Sequence, residues 1–192
     1  MFYIKLPFLT LHLLVRFFGR SKQLYIMDQE NTLKYRFCPY SNTVMAFAYL
    51  LVAYPEYRNV FYRRSGFWGR VMNVYMPGER TFFIRTQPEN IGGGILVKHG
   101  HSTELNAESI GQNCCIFQNV TIGSNKTAKG PTIGNNVVFG TGCIVIGDII
   151  IGNNVKIGAG AIVTKDVPDN CTVVLKGTVI IKKDGKRVEI PL

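Results

Sequence analysis

Residues 133–167 decide the fold, and they read IGNNVVFGTGCIVIGDIIIGNNVKIGAGAIVTKDV. An apolar residue returns at every sixth position of this stretch. These residues are Ile133, Phe139, Val145, Ile151, Ile157 and Val163. A second small or apolar residue follows each of them four places later, from Val137 to Val167. Neither an α-helix, with a period of about 3.6 residues, nor a strand, with a period of about 2, produces this spacing.

A chain that turns a corner after every six residues does produce it, and three corners make one triangular coil of a β-helix. The apolar residue then points inward on each short side, and Gly or Asn takes the unusual backbone angles of the corner. The Asn pairs at 135–136 and 153–154 suit such corners. An antiparallel sheet with frequent Gly turns would not hold a fixed spacing over so many consecutive units. The sequence therefore predicts a mainly β fold built on hexapeptide repeats.

The repeat extends back to residue 110 but is broken in two places. Between residues 95 and 110 the spacing is irregular, and this segment carries His99 and His101. Between Ile122 and Ile133 the step is eleven residues, which leaves an inserted loop. Breaks in a regular coil are where functional residues tend to lie.

Composition narrows the function classes. The chain has 192 residues and a formal net charge of +10. Such a basic surface suits phosphorylated cofactors or an anionic membrane face, while the lack of any nucleic-acid-binding motif argues against nucleic acid as a partner. The five cysteines show no paired spacing, so we expect no disulfide framework and a cytoplasmic protein.

The first eighteen residues are strongly apolar, but they are interrupted by Lys5, Pro7, His12 and Arg16. That is short for a membrane span, and no small-residue cleavage site follows. Two readings stay open. The segment is either a helix packed on the rest of the protein or another subunit, or a helix lying in the inner membrane face as a peripheral contact.

Two units are expected along the chain. Residues 1–80 form a small α-helical N-terminal unit, in which residues 19–38 read as a connection with a short helix or strand, and 41–43 as the cap of a helix to about residue 54. Residues 81–192 form the β-helix with a C-terminal β tail, in which Asp184-Gly185 signals a hairpin.

His99 is the candidate general base. A histidine with a pKa near neutrality is the usual base for removing the proton of an alcohol, although a lone histidine on a β-helix is often structural. His101 is two residues away on an extended segment, so only one of the pair is expected to face a given cleft. The chain has only three histidines, and the third, His12, is distant in sequence, so we expect no zinc site between subunits.

Three segments carry a resemblance to a known family. Residues 91–99 read IGGGILVKH, residues 117–123 read FQNVTIG and residues 157–168 read IGAGAIVTKDVP. They resemble the hexapeptide acyltransferases, and among these the serine acetyltransferase branch and its relatives in capsule and lipopolysaccharide biosynthesis. Residues 54–63, YPEYRNVFYR, are similar to the helix that precedes the coil in the polysaccharide-linked members.

The resemblance implies a left-handed parallel β-helix, a homotrimer and acetyl-CoA as co-substrate, bound between neighbouring coils. His99 would be the base, with Glu104 or Glu89 as the acid that orients it. The implied acetyl-CoA contacts are Gly123, Gly140, Thr141, Gly142, Ala159, Gly160 and Lys165. The acceptor would lie near Lys98, His101 and Asn119.

Two departures from the serine acetyltransferases bear on the acceptor. Lys98 stands where that branch has Asp before its catalytic His, and Lys129-Gly130 stands where it has an Arg-His pair. A cationic Lys98 cannot pair with the ammonium group of serine. We therefore expect an O-acetyltransferase that acts on a sugar hydroxyl in surface polysaccharide synthesis. The alternatives are a serine O-acetyltransferase and a trimeric β-helix scaffold without catalytic activity.

Overall fold

The computed structural model describes residues 8–125, 129–177, 179–183 and 186–191, with the backbone alone from residue 179 onward. Five helices come first, and a coil of short parallel strands follows them. The helices are α1 (Thr10–Phe18), α2 (Lys22–Leu33), α3 (Thr43–Ala53), α4 (Pro55–Ser65) and α5 (Phe67–Tyr75). The predicted fold class, a mainly β chain with a helical N-terminal unit, is confirmed.

Local sequence explains where α3 and α4 begin. The side chain of Asn42 accepts hydrogen bonds from the backbone N–H groups of Val44 and Met45, which makes it the N-cap of α3 as predicted. Pro55 occupies the first turn of α4, where its missing N–H costs nothing. Gly66, with φ of 56°, ends α4.

Helix α2 lies in residues 19–38, where the sequence predicts only a connection with a short helix or strand. It runs for twelve residues and buries Tyr25, Asp28, Gln29 and Thr32 at helical spacing. Because three of these four buried residues are polar, the segment lacks the apolar stripe by which a helix is recognised in a sequence.

Helix α1 packs on α2 and α5, and His12 and Val15 on its inner side are buried. Its opposite side is apolar and exposed, and Phe18 keeps 84% of its surface accessible. The first predicted reading, a helix packed on the protein, is therefore seen for residues 10–18, while residues 1–7 lie outside the described part of the chain. Contact with a membrane surface stays a prediction. Within the described residues, no helix has the length and apolarity needed to cross a bilayer.

The coil comprises about five turns, whose short strands form three parallel sheets of five, three and five strands. Sheet A contains β1 (Phe82–Ile84), β3 (Thr103–Leu105), β6 (Thr121–Gly123), β9 (Ile144–Ile146) and β12 (Ile162–Val163). Sheet B contains β4 (Ser109–Ile110), β7 (Thr132–Ile133) and β10 (Ile150–Ile151). Sheet C contains β2 (Leu96–Val97), β5 (Cys115–Ile116), β8 (Val138–Phe139), β11 (Lys156–Ile157) and β13 (Thr172–Val173).

The repeat residues form the core of the coil. Both predicted sets, the sixth-position residues and those four places later, are buried from Ile110 to Val167. The predicted corner residues Asn136 and Asn154 both have φ of 56°, and their side-chain amides stack in a hydrogen-bonded ladder that continues to Asn170. Asn tolerates this left-handed conformation better than other residues with a side chain, so the corners are built into the sequence.

The helical unit closes the first coil. Arg64 pairs with Asp28 at 2.7 Å while both are buried, and Arg64 also donates to the carbonyls of Ile91 and Gly92. The Asp28 carboxylate accepts from the backbone N–H of Ile95. The glycines of residues 92–94 belong to this junction, because a Cβ on Gly93 would lie 2.5 Å from the sulfur of Met27.

The predicted hairpin of the tail is present as β14 (Val179–Lys183) and β15 (Lys186–Pro191), which pair antiparallel. The turn residues 184–185 lie outside the described part of the chain. The helices end at Tyr75 and the first strand begins at Phe82. The division into two domains near residue 80 stays a prediction.

Candidate active site

His99 lies on the corner that joins β2 to β3. Its side chain is exposed, whereas its neighbour Gly100 is buried. A Cβ on Gly100 would lie 3.0 Å from Cβ of Glu56 and 3.1 Å from the ring of Phe82, so the chain passes close to α4 at this point. The tight packing of Gly100 therefore fixes the corner, and His99 projects from it into solvent.

Arg36 holds the chain just before His99. Its guanidinium donates to the carbonyls of Val97 and Lys98 and pairs with Glu56 at 2.5 Å. Strand β2 is the edge of sheet C, so its outward carbonyls have no further strand as a partner. Arg36 supplies the missing donors, and it links the backbone beside His99 to α4.

His101 has a carboxylate partner. Its Nδ1 lies 3.4 Å from Oε2 of Glu79, whose other oxygen accepts from the N–H and hydroxyl of Thr81. The backbone and hydroxyl bonds from Thr81 lower the pKa of Glu79 against the opposing effect of partial burial, so this carboxylate is ionised near neutral pH. A protonated His101 would form an ion pair with it.

The predicted orienting acids lie elsewhere on the surface. Glu104 pairs with Arg85 at 2.5 Å, and Glu89 is exposed in a 3₁₀ turn, Pro88–Asn90. Within the described ranges, neither carboxylate is hydrogen-bonded to the His99 ring. Their assigned role stays a prediction.

The residues predicted near the acceptor occupy the same corner. Asn119, with φ of 59°, donates its backbone N–H to the carbonyl of His101 at 2.9 Å. The Lys98 ammonium lies 5.0 Å from the ring centroid of Tyr35 and 5.5 Å from that of Phe117. These rings stabilise its charge by cation–π contact.

Most of the predicted acetyl-CoA contacts lie on this edge of the coil, one above another. Gly142 and Gly160 have φ of 70° and 67°, and the N–H of Gly160 donates to the carbonyl of Thr141 at 2.9 Å. A Cβ on Gly142 would touch nothing, so the edge there is bare backbone open to solvent.

The vertical distance along this edge follows from the coil spacing. His99 and His101 are on its first level, Asn119 on the second, and Gly142 and Gly160 on the third and fourth. At about 4.8 Å per coil, the first and fourth levels are about 14 Å apart. Gly123 instead ends strand β6 of sheet A, and Lys165 follows strand β12 of the same sheet.

The described residues contain no group of three His, Cys, Asp or Glu side chains able to hold a metal ion. His12 is buried in the helical unit, where its ring nitrogens lie 2.9 Å from the Tyr62 hydroxyl and 3.5 Å from that of Tyr75. Burial lowers its pKa to about 4.

Sequence reasoning missed Arg36, Glu56 and Glu79. All three come from the helical unit or the connection after it, and no repeat or motif marks them. The one signal was indirect: Glu56 belongs to the segment 54–63, which resembles the helix before the coil in related proteins.

Residues 130–165 match the family described as "Bacterial transferase hexapeptide (six repeats)". This part of the coil is therefore similar to the hexapeptide repeats of bacterial transferases. The chain is 44% identical over 103 residues to a serine acetyltransferase of Synechococcus elongatus, covering 52% of this chain and 42% of that protein. It is 38% identical over 102 residues to the serine acetyltransferase of Staphylococcus xylosus, covering 51% and 47%. The chain thus spans about half the length of the curated relatives it matches.

Solved structures give the same similarity. Serine acetyltransferase isoform 3 of Entamoeba histolytica, in complex with cysteine, superposes with a TM-score of 0.65 at 25% identity, covering 90% of this chain and 64% of that one. Native serine acetyltransferase 1 of the same organism gives 0.65 at 26% identity, covering 82% and 64%. The predicted resemblance to the serine acetyltransferase branch is confirmed.

The expectation of a sugar acceptor in polysaccharide synthesis is wrong, because these relatives are named as serine acetyltransferases. The expectation rested on two departures, Lys98 and Lys129-Gly130. The Lys98 ammonium lies against the rings of Tyr35 and Phe117, so local packing accommodates its charge.

Proposed function

We propose that this protein is an acetyl-CoA-dependent serine O-acetyltransferase. The observation that carries the proposal is the similarity of half of the chain, at 38–44% identity, to serine acetyltransferases. The position of an exposed histidine on the same coil edge as a column of bare backbone gives it a physical basis.

In the proposed reaction His99 is the general base. Its neutral imidazole takes the proton of the serine hydroxyl, and the oxygen attacks the thioester carbonyl of acetyl-CoA. The tetrahedral intermediate then expels the CoA sulfur, which takes the proton back from the imidazolium. The products are O-acetylserine and free CoA, and the histidine returns to its starting state.

The glycine edge suits the extended arm of acetyl-CoA. Backbone at Gly140–Gly142 and at 159–160 lacks bulky side chains, and its height of about 14 Å from the His99 level suits a long, narrow co-substrate. Lys165 offers a cation for a phosphate of the same molecule.

A homotrimer would complete the site. His99 stands on an exposed corner with solvent on one side, and a neighbouring subunit would supply the second wall of a cleft. Exposed apolar residues on the outer faces of the coil, Ile150 and Ile162, support such packing.

The test is acetyl-CoA turnover measured by thiol release, with L-serine, D-serine, L-homoserine or no acceptor. We expect turnover with L-serine, formation of O-acetylserine by mass spectrometry, and loss of at least about 100-fold in kcat for His99→Gln. His101→Gln is the matched control, since it removes the neighbouring ring from the same corner. A protein that neither binds acetyl-CoA nor cleaves it would favour the scaffold alternative, and an active His99→Gln variant would refute the assignment of the base.

A further inference from the structure

A cavity lies between α4, α5 and strand β1, apart from the candidate active site. It measures about 510 Å³, within the range of small-molecule sites. Its lining includes Arg63, Arg70, Phe83, Arg85 and Gln87. None of the residues predicted for acetyl transfer lines it.

Three arginines and no carboxylate belong to this lining. Arg63 makes three hydrogen bonds, two to the carbonyl of Thr86 and one to that of Arg85, so its charge is fixed in place without being neutralised. Arg70 is exposed, and its guanidinium has neither an ion pair nor a hydrogen bond among the described residues. Arg85 alone has an acidic partner, Glu104.

The cavity therefore holds at least two uncompensated guanidinium groups, one of them fixed before any ligand arrives. Arginine presents a planar set of N–H donors that matches the oxygens of a carboxylate or phosphate. On a basic surface that only contacts solvent, there would be no reason for three arginines to line one concave site. Gln87, whose amide has no partner within the described ranges, adds a neutral donor at the rim.

We propose that this cavity binds a small molecule that carries phosphate or carboxylate groups, at a site separate from acetyl transfer. Arg63 is the fixed contact, and Arg70 closes on the ligand from α5. The half-exposed ring of Phe83, beside Arg85, gives the ligand an apolar surface to lie on.

Calorimetric titration of the full chain tests this, with inorganic pyrophosphate and citrate as probes at constant ionic strength. Saturable binding of pyrophosphate would assign phosphate ligands, and saturable binding of citrate would assign carboxylate ligands. We expect Arg70→Glu to weaken binding about 10- to 100-fold, the effect of losing one charge-assisted hydrogen bond. The Arg70 guanidinium has no partner among the described residues, so this variant should fold normally.

Arg20→Glu is the matched control, because it makes the same change of charge at an exposed arginine outside the cavity. Equal weakening by both variants would indicate a diffuse electrostatic effect and overturn the proposal. So would binding that is insensitive to Arg70→Glu, or no saturable binding of either probe. Because acetyl transfer is not measured, failure here would leave the serine acetyltransferase assignment standing.

Discussion

Replacing Arg36 with alanine should lower both the stability of the fold and the rate of acetyl transfer. The substitution removes the ion pair with Glu56 and the donors to the carbonyls of Val97 and Lys98. It also removes the contact of the guanidinium with the Tyr54 ring, at 4.6 Å from the centroid. His99 directly follows Lys98 in the sequence, so these contacts hold the backbone beside it.

The size of the expected stability loss follows from the burial of the ion pair between Arg36 and Glu56. The side chains of Arg36 and Glu56 are only 15% and 11% exposed, so solvent screens their interaction little. Leaving one partner of such a pair alone costs about 3–5 kcal/mol. The freed segment no longer fixes His99, and a displacement of about 1 Å at a reacting group costs about 100-fold in rate. We therefore expect kcat to fall about 10- to 100-fold, with a smaller change in KM for acetyl-CoA.

The assay is steady-state thiol release with L-serine, at a temperature where circular dichroism shows the variant folded. Arg16→Ala is the matched control. Arg16 is another buried arginine of the helical unit, and it donates to Gln29 at 2.7 Å without touching the chain beside His99. Arg36→Lys, which keeps the charge, should recover part of the rate.

The reasoning is refuted if Arg36→Ala loses stability but keeps the wild-type kcat. It is also refuted if Arg16→Ala loses activity to the same degree, because the effect would then be general destabilisation. Absence of turnover in the wild-type protein would instead refute the proposed function.

Three further predictions concern stability. The pKa of His12 is about 4 in the folded state against 6.5 ordinarily, so the unfolded chain binds more protons between these values, and stability should fall by about 3 kcal/mol as pH drops through that window. Chemical denaturation from pH 4 to 8 should show this slope in the wild type and a reduced slope in His12→Gln. Asn154→Ala should lower the free energy of unfolding by about 2 kcal/mol in chemical denaturation. Asn154→Gly should lower it by about 1 kcal/mol less, because both variants lose the amide ladder but glycine accepts φ of 56°. Asp28→Asn should cost about 3–5 kcal/mol in thermal unfolding, because it leaves the buried Arg64 charge without its partner.

Each of these has an outcome that would contradict it. An unchanged acid slope in His12→Gln would assign the pH dependence to other groups. Equal stability of the two Asn154 variants would show that the corner conformation carries no strain. A stable Asp28→Asn protein would show that the carbonyl contacts of Arg64 are enough to stabilise its buried charge.

The coil was predictable because its period is long and unlike that of any other fold. A buried residue at every sixth position, such as Phe139, can be read directly, and Asn136 and Asn154 mark the corners through their tolerance of positive φ. The hairpin of the tail follows equally from its turn residues. These features depend on neighbours close in sequence or one coil away.

Helix α2 was not predictable, for the opposite reason. Its buried Asp28 and Gln29 have partners in other elements, Arg64 and Arg16, which lie 36 and 13 residues away. A buried polar residue looks in the sequence like an exposed one, and its burial is explained only when its partner is known.

The candidate site was predictable in part. His99 and the corner glycines follow from the break in the repeat and from the resemblance, whereas Arg36 and Glu79 reach the corner from segments that carry no motif. The acceptor was the main error. That prediction rests on the charge of Lys98 and on Lys129-Gly130, and the rings of Tyr35 and Phe117 beside Lys98 cannot be inferred from spacing.

The contacts that close the first coil have a consequence for self-association. A stack of parallel strands ends in a row of unpaired backbone groups, and such a row can template the addition of further strands from another molecule. Arg36, Asp28 and Arg64 already occupy several of these groups at the N-terminal end. The helical unit thus blocks the addition of strands from another molecule at this end. We expect a coil without the helical unit to polymerise into fibres.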